Sequence, residues 1–218
     1  MKKVFVVVMV MLWANAAQAI GLGVTGKAGS LGIGVEVTKS LIPMVNVRGG
    51  LNFLNYNFDQ SEGGNDYDFD LKLKSFSVLA DFHPILGRGL RLSGGIIFNN
   101  NHLNMVSVPS GSYSIGNRTY TGAEVGTLTG KVDFKSTAPY VGIGWGNATN
   151  GRLGVAFDLG IVFQGSPQVA LSASGIVASD PTFIQELNRE NQELEDEISG
   201  FKYYPVISLG LSLNLGVR

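Results

Sequence analysis

The chain contains no cysteine and few charged side chains. The absence of cysteine from all 218 residues excludes a disulfide framework, a thiol nucleophile and a thiolate metal site. Only 15% of the residues are charged, against about 25% in ordinary soluble domains. After residue 19, no apolar run approaches the roughly 20 residues that a membrane-spanning helix needs. Stability must therefore come from backbone hydrogen bonds and packing.

The first 19 residues have the three-part pattern of an export signal. Two lysines at positions 2 and 3 precede an apolar run over residues 4–12, which is too short to cross a membrane as a helix. The small residues Ala17 and Ala19 indicate cleavage after position 19. We therefore predict a cleaved signal peptide over residues 1–19 and one mature domain over residues 20–218. That domain keeps 14 of the 16 basic residues against 17 acidic ones, so no nucleic-acid partner is expected.

Alternation with a period of two dominates the mature domain. In the last segment, residues 203–215, the odd positions are almost all large and apolar, whereas most even positions are small or polar. Seven earlier segments repeat the pattern. The predicted strands cover residues 20–28, 31–37, 45–58, 69–82, 90–98, 128–145, 155–163 and 203–215. A closed sheet satisfies all of its backbone groups inside lipid. We therefore predict an all-β fold, an eight-stranded antiparallel transmembrane up-and-down β-barrel.

Two positions strain this scheme. The phase of alternation changes at Gly29 and Ser30, which indicates either a tight turn or a bulge in one continuous strand. An even number of strands favours the turn. Pro205 cannot donate a hydrogen bond to a neighbouring strand, and a closed barrel has no free edge, so we expect a bulge there.

Short and long connections alternate along the chain. The short ones, residues 39–43, 83–89 and 147–152, are expected on the periplasmic side. Pairing Trp145 with Val155 predicts that the last contains a three-residue loop over residues 149–151, with Gly151 in the left-handed conformation. The long ones are expected outside: an acidic loop over residues 59–68, an excursion over residues 99–124 with a hairpin turn at Gly116 and Asn117, and a loop over residues 165–200. Aromatic residues are predicted to form a girdle at each end of the barrel. The girdle near the outer rim contains positions 56, 58, 67, 69, 98, 163, 201 and 203, and the girdle near the periplasmic rim contains positions 82 and 145.

The last extracellular loop contains the one helix that the sequence predicts. Asp180 suits an N-cap and Pro181 suits the first helical position. An apolar stripe follows at Ile184, Leu187, Leu194 and Ile198. The other faces are acidic, so we expect the helix to pack on the loops; a dimerisation or plug element is the alternative.

The inward positions of the predicted strands carry charges of both signs. These residues are Glu36, Arg48, Asp81, Arg91, Lys131, Asp133 and Asp158. Placing Phe82 opposite Leu90 also sets Asp81 opposite Arg91. Because a buried ion without a partner costs several kcal/mol, these residues form either a salt-bridged filling of the barrel or a narrow polar path for zwitterions. We favour the filling, because eight strands enclose little more than their own side chains.

Several segments resemble known proteins. Residues 71–84 (LKLKSFSVLADFHP), 138–146 (APYVGIGWG) and 154–167 (GVAFDLGIVFQGSP) are similar to the small eight-stranded outer-membrane barrels of the OmpA and OmpW kind, especially the CarO-like amino-acid-uptake barrels. Ser208, Gly210, Leu213 and Leu215 resemble the C-terminal signal that the barrel assembly machinery recognises, although leucines replace the usual aromatic residues. The resemblance implies a Gram-negative outer-membrane location, with lipid, lipopolysaccharide and the assembly machinery as partners.

The first functional hypothesis is a structural or interaction protein with a mostly closed lumen and long acidic extracellular loops. The second is a narrow channel for small zwitterionic solutes such as amino acids, as the resemblance implies. A third, an enzyme acting on lipid, lacks a nucleophile or acid–base constellation beside His83 or His102. No cofactor is expected, and the acidic loop lacks the ligand spacing of a calcium loop.

Overall fold

A computed structural model describes residues 21–62, 65–85 and 89–216. Eight strands form a closed antiparallel barrel. They are β1 (Leu22–Gly29), β2 (Gly32–Ile42), β3 (Val45–Glu62), β4 (Asn65–Phe82), β5 (Leu90–Asn99), β10 (Thr137–Trp145), β11 (Leu153–Phe163) and β13 (Tyr203–Asn214). Each strand pairs with the preceding and following barrel strand, and β13 pairs with β1 to close the ring. The predicted eight-stranded barrel is confirmed, whereas the predicted signal peptide, with Ala17 and Ala19, lies outside the described residues.

The outer face of the barrel is apolar on every strand. Residues pointing outward alternate with buried ones, as the period of two predicts. Exposed apolar residues on this face include Ile33, Val35, Val37, Leu51, Phe53, Val78, Leu92, Ile96, Val141, Ile143, Val155, Leu159, Ile207, Leu209 and Leu211. Neither a helix nor a second sheet covers this belt among the described residues.

A second part of the sheet extends beyond the barrel. The upper half of β4 leaves β5 and pairs with β6 (His102–Ser107), which pairs with β9 (Leu128–Asp133), which in turn pairs with β12 (Gln168–Ala173). The prediction of an acidic loop over residues 59–68 is wrong in part, because β3 and β4 continue to pair with each other as far as Glu62 and Asn65. The predicted strand over 128–145 is also divided, because β9 belongs to this extension and only β10 belongs to the barrel.

A hairpin and a helix cover one face of the extension. The hairpin consists of β7 (Ser112–Ile115) and β8 (Arg118–Thr121), joined by the predicted two-residue turn. A one-turn helix, α1 (Gly122–Val125), follows it. The long helix α2 (Pro181–Glu197) begins at the predicted N-cap Asp180, whose side chain accepts hydrogen bonds from Thr182 N and Phe183 N. We call β6 to β9, β12, both helices and the upper ends of β3 and β4 the extracellular module, after the side of the membrane on which the sequence predicts them.

Two strand registers differ from those predicted. Phe82 pairs with Leu92 instead of Leu90, so Asp81 faces Ser93 instead of Arg91. Trp145 pairs with Phe157 instead of Val155. Both shifts are two residues and leave every side chain on its predicted face, because the period of a strand is two. The side of the sheet on which each residue lies therefore cannot distinguish two registers that differ by an even number of residues.

Pro205 needs no bulge. Strand β1 turns away at Gly29 and Ser30, before it reaches the level of Pro205. The backbone of Pro205 faces this end of β1, where Ser30 Oγ donates to Pro205 O at 2.9 Å and accepts from Ile207 N at 3.1 Å. No ladder hydrogen bond is lost at the missing N–H. The same turn confirms that residues 22–42 form two strands.

Candidate functional site

The interior of the barrel contains a compact network of ions. It consists of six buried or nearly buried side chains, three of each sign, projecting inward from β1, β2, β3, β4, β5 and β11. They are Lys27, Arg48, Arg91, Glu36, Asp81 and Asp158. The network is therefore formally neutral. Five of these residues were predicted to face inward; Lys27 was missed, although its odd position on β1 matches the inward phase of Thr25.

Arg48 is the centre of the network. Its Nη1 lies 3.0 Å from Glu36 Oε2, its Nε 2.6 Å from Asp81 Oδ2 and its Nη2 3.2 Å from Asp158 Oδ1. One planar guanidinium thus contacts carboxylates from three different strands. This arrangement uses the fixed fork of donors that distinguishes arginine from lysine.

The remaining members complete the charge balance. Lys27 Nζ lies 2.6 Å from Glu36 Oε1, and Arg91 Nη2 lies 2.8 Å from Asp158 Oδ1. Ser93 Oγ donates to Asp81 Oδ1 at 2.6 Å and accepts from Arg48 Nη2 at 3.2 Å. The two-residue register shift therefore replaces the predicted Asp81–Arg91 pair with a serine link and directs Arg91 to Asp158.

A layer of apolar side chains lies against the ion network inside the barrel. It contains Leu31, Leu79, Ile97, Tyr140, Val162 and Val206, all nearly or fully buried. The ring of Tyr140 fits because Gly142 and Gly160 have no side chain, and an added Cβ at Gly160 would lie 2.5 Å from Tyr140 Oη. Small residues on β10 and β11 thus make room for one large residue in the lumen. The sequence reasoning did not identify this layer.

Little space remains around the ions. Two cavities adjoin the network, and each has a volume of about 10 Å³, about that of a single water site. One reaches the end of the barrel that carries the short connections, where Asn46 Nδ2 contacts His83 Nε2 at 3.2 Å and donates to Asn147 Oδ1 at 3.0 Å. Burial lowers the pKa of His83, although nearby Asp81 acts in the opposite direction.

Two predicted members do not belong to this site. Lys131 and Asp133 lie on β9 in the extracellular module, where they pair with each other at 2.7 Å and are about half exposed. Their predicted place in the lumen depends on one continuous strand over residues 128–145, which the structure divides into β9 and β10. Their inward placement is therefore wrong, for the same reason as the strand boundary.

The residues of the predicted assembly signal lie on or just beyond β13. Ser208 and Gly210 face the interior, Leu213 faces outward, and Leu215 N donates to Leu22 O at 2.8 Å beyond the strand end. Ser208 Oγ also contacts Asp158 Oδ2 at 3.4 Å. Two of these residues thus contribute to the packed interior, and their role in assembly stays a prediction.

The described residues contain no cluster of three or more carboxylate or histidine side chains suited to a metal ion. His102 lies near the base of the extracellular module, and its Nδ1 is 3.3 Å from Asn100 O. No described helix is both long and apolar enough to span a bilayer.

Comparisons with known proteins agree with this architecture. No protein-family model matches the chain, and no curated protein matches it in sequence. Among solved structures, Acinetobacter baumannii CarO is 21% identical, with a TM-score of 0.58 over 90% of this chain and 99% of that one. Acinetobacter baumannii CarO2 is 18% identical, with a TM-score of 0.58 over 88% and 97%. At these identities the likeness establishes the fold: the chain has the closed eight-stranded barrel fold of the CarO proteins.

Proposed function

We propose that this protein is an integral outer-membrane β-barrel with a closed, salt-bridged lumen, and that its function is structural or interactive and resides in the extracellular module. The observation that carries the proposal is the neutral network of six ions packed against an apolar layer. Cavities of about 10 Å³ beside these ions leave no room for an amino acid.

The exterior supports insertion in a bilayer. An uncovered apolar belt of this extent is unfavourable in water, but it is the expected surface of a transmembrane barrel. Hydrocarbon lipid is therefore the proposed partner of the belt, and lipopolysaccharide the proposed neighbour of the extracellular module. The barrel assembly machinery is the proposed partner of β13, through Ser208, Gly210, Leu213 and Leu215.

The alternative is a narrow channel for small zwitterions. Opening such a path would require Arg48 to leave three carboxylates and Tyr140 to move from its glycine-lined position. Breaking a buried ion network of this kind costs several kcal/mol. The network therefore favours the closed barrel over the channel.

Reconstitution into planar lipid bilayers tests the proposal. The wild-type protein is expected to give no discrete conductance steps. Conductance steps that change size in Asp158→Asn or Arg48→Ala would overturn the closed barrel, because a conducting path through the barrel would run past these charged side chains. Steps that are unchanged in both variants would indicate a contaminating porin.

We propose no catalytic activity. His102 is partly exposed at the start of β6 and belongs to the excursion predicted to lie outside, so His102→Ala is the relevant variant. It is expected to leave the lipid composition of the outer membrane unchanged, as measured by mass spectrometry. Loss of one lipid modification in this variant would contradict the proposal.

A further inference from the structure

A large apolar cavity lies in the extracellular module, between the sheet and helix α2. Its volume is about 530 Å³, within the roughly 300–1,000 Å³ range of small-molecule sites. The sheet contributes Tyr67, Phe69, Leu103 and Met105, and the helix contributes Leu194 and Glu190. Tyr67 and Phe69 were predicted to be girdle residues, but they lie on the same face of β4 as the lumen side chains. The alternation of the sequence therefore did not predict the cavity, which forms only when the strands and α2 pack together.

The cavity adjoins a packed core that anchors the helix. Phe183 and Leu187 on the first half of α2 are buried with Ile115, Val125 and Leu128. Tyr120 meets Phe183 edge to face, with ring centroids 5.0 Å apart. In contrast, Leu194 and Ile198 at the far end of the stripe are only half buried and border the cavity. Ile184 of the predicted stripe is 43% exposed, and Phe183 takes its place on the buried face of α2, which thus continues from a filled core into an unfilled space.

Side chains of α2 also attach the helix to the edge of the sheet by hydrogen bonds. Strand β12 forms the edge of the sheet, and Val169 N donates to Glu195 Oε1 and Leu171 N to Asn191 Oδ1, both at 2.9 Å. These bonds satisfy edge groups that would otherwise be open to pairing. The cavity is therefore bounded by hydrogen-bonded elements and is preformed, which lowers the cost of binding a ligand.

The polar groups at the cavity favour positive charge. Glu190 lines it, and Glu190 Oε2 accepts a hydrogen bond from Gly116 N at 2.9 Å; a carboxylate has capacity for further donors. Tyr67 and Tyr113 also line it, and their hydroxyl groups are 2.9 Å apart. Lys131 is the one cation on this lining, and Asp133 neutralises it at 2.7 Å. Aromatic rings beside a carboxylate form a setting that attracts an ammonium group.

We propose that this cavity binds a small amphipathic amine, with its apolar body between the sheet and α2 and its ammonium group at Glu190. Helix α2 carries six carboxylates and one arginine, so its potential disfavours an anionic ligand such as a carboxylate or a phosphate. The proposal goes beyond the closed-lumen function and is independent of it, since the cavity and the ion network share no lining residue.

Three naphthalene derivatives of matched shape test the proposal: naphthylmethylamine, naphthalenemethanol and naphthoate, which are positive, neutral and negative at neutral pH. Binding is measured by titration calorimetry on the protein in lipid nanodiscs, with empty nanodiscs subtracted. We expect the amine to bind about tenfold more tightly than the alcohol, through one charge-assisted contact, and naphthoate to bind most weakly.

Two comparisons, one between two cavity variants and one between Glu190→Gln and the wild type, locate the binding site. Leu103→Trp should occupy part of the cavity and weaken the binding of all three probes, whereas Val106→Trp, on the same strand but on the opposite face, should leave the affinities unchanged. Glu190→Gln keeps an acceptor for Gly116 N, and it should reduce the affinity for the amine to that for the alcohol without changing the latter.

Three results would overturn the proposal: no binding of the amine to wild-type protein, equal binding to the Leu103→Trp variant, or a preference for naphthoate. If Leu103→Trp fails to fold, the Glu190→Gln comparison still decides, because retained preference for the amine contradicts the assigned role. None of these outcomes bears on conductance, so the two proposals fail separately.

Discussion

At the scale of single residues, Arg48 is the cation that links three carboxylates of the barrel interior. Replacing it with methionine keeps much of the side-chain volume but leaves Glu36, Asp81 and Asp158 without their shared cation. We expect Arg48→Met to lower the free energy of unfolding by about 3–5 kcal/mol, as for other buried ions that lose a partner. Urea titration of the detergent-solubilised barrel measures this loss.

Lys72 provides the matched control. It forms an ion pair with Asp70 at 2.6 Å, but its side chain is 43% exposed. Exposed pairs contribute at most about 1 kcal/mol, so Lys72→Met should have little effect. If the two variants were equally stable, the interior network would not have the central role that we assign to Arg48.

At the scale of elements, the start of helix α2 depends on the charge of Asp180. Hydrogen bonds from Phe183 N and Thr182 N lower the pKa of this carboxyl group. A lowered pKa in the folded state means that the stabilisation is fully present above the ordinary aspartate pKa and is lost as the pH falls through the lowered value. Protection of the Thr182 and Phe183 amides, measured relative to the intrinsic exchange rate at each pH, should therefore fall in acid.

Asp180→Asn separates this effect from general acid unfolding. Asparagine is an equally good N-cap, but it does not titrate. Hydrogen–deuterium exchange by NMR at about pH 6 and about pH 3, on either side of the ordinary aspartate pKa, should show an acid-dependent loss of protection in the wild type and a smaller one in the variant. Equal losses would exclude the N-cap as the titrating group.

The extended strand β4 shows how one element serves two environments. Its odd positions face the lumen from Ser75 to Asp81, and they continue above the barrel as Tyr67, Phe69 and Leu71. Apolar residues occupy odd positions from 69 to 73 but mainly even positions from 76 to 82, so the alternation by itself indicates a change of phase near Ser75. The strand is regular, and its inner face, which is mostly polar from Ser75 to Asp81, becomes apolar where it leaves the lumen for the module.

At the scale of the whole molecule, the apolar belt predicts where a charge is tolerated. Leu159 lies near the middle of β11 and faces outward, whereas Ile176 is exposed in the extracellular module. In lipid vesicles, Leu159→Arg should lower the free energy of unfolding by about 2–4 kcal/mol, the cost of arginine near the bilayer midplane. Ile176→Arg, the control, should change it by no more than about 0.5 kcal/mol, as is usual for surface positions.

Denaturant titration in vesicles measures both values. If arginine at position 159 were tolerated as well as at position 176, water instead of hydrocarbon would contact the belt. Membrane insertion would then be excluded, although the barrel topology would remain.

The sequence by itself determined the barrel, its eight strands, the facing of most of their residues, the hairpin turn and the start of α2. It did so because alternation, turn chemistry and helix capping are local signals that neighbouring residues carry. Only the tertiary structure decided the registers, the central role of Arg48 and the layer around Tyr140. It also separated β9 from β10, revealed β12 and left a cavity beside α2. These features depend on which strands meet across the barrel and above it, and a pattern with a period of two is the same for every register that differs by an even number of residues.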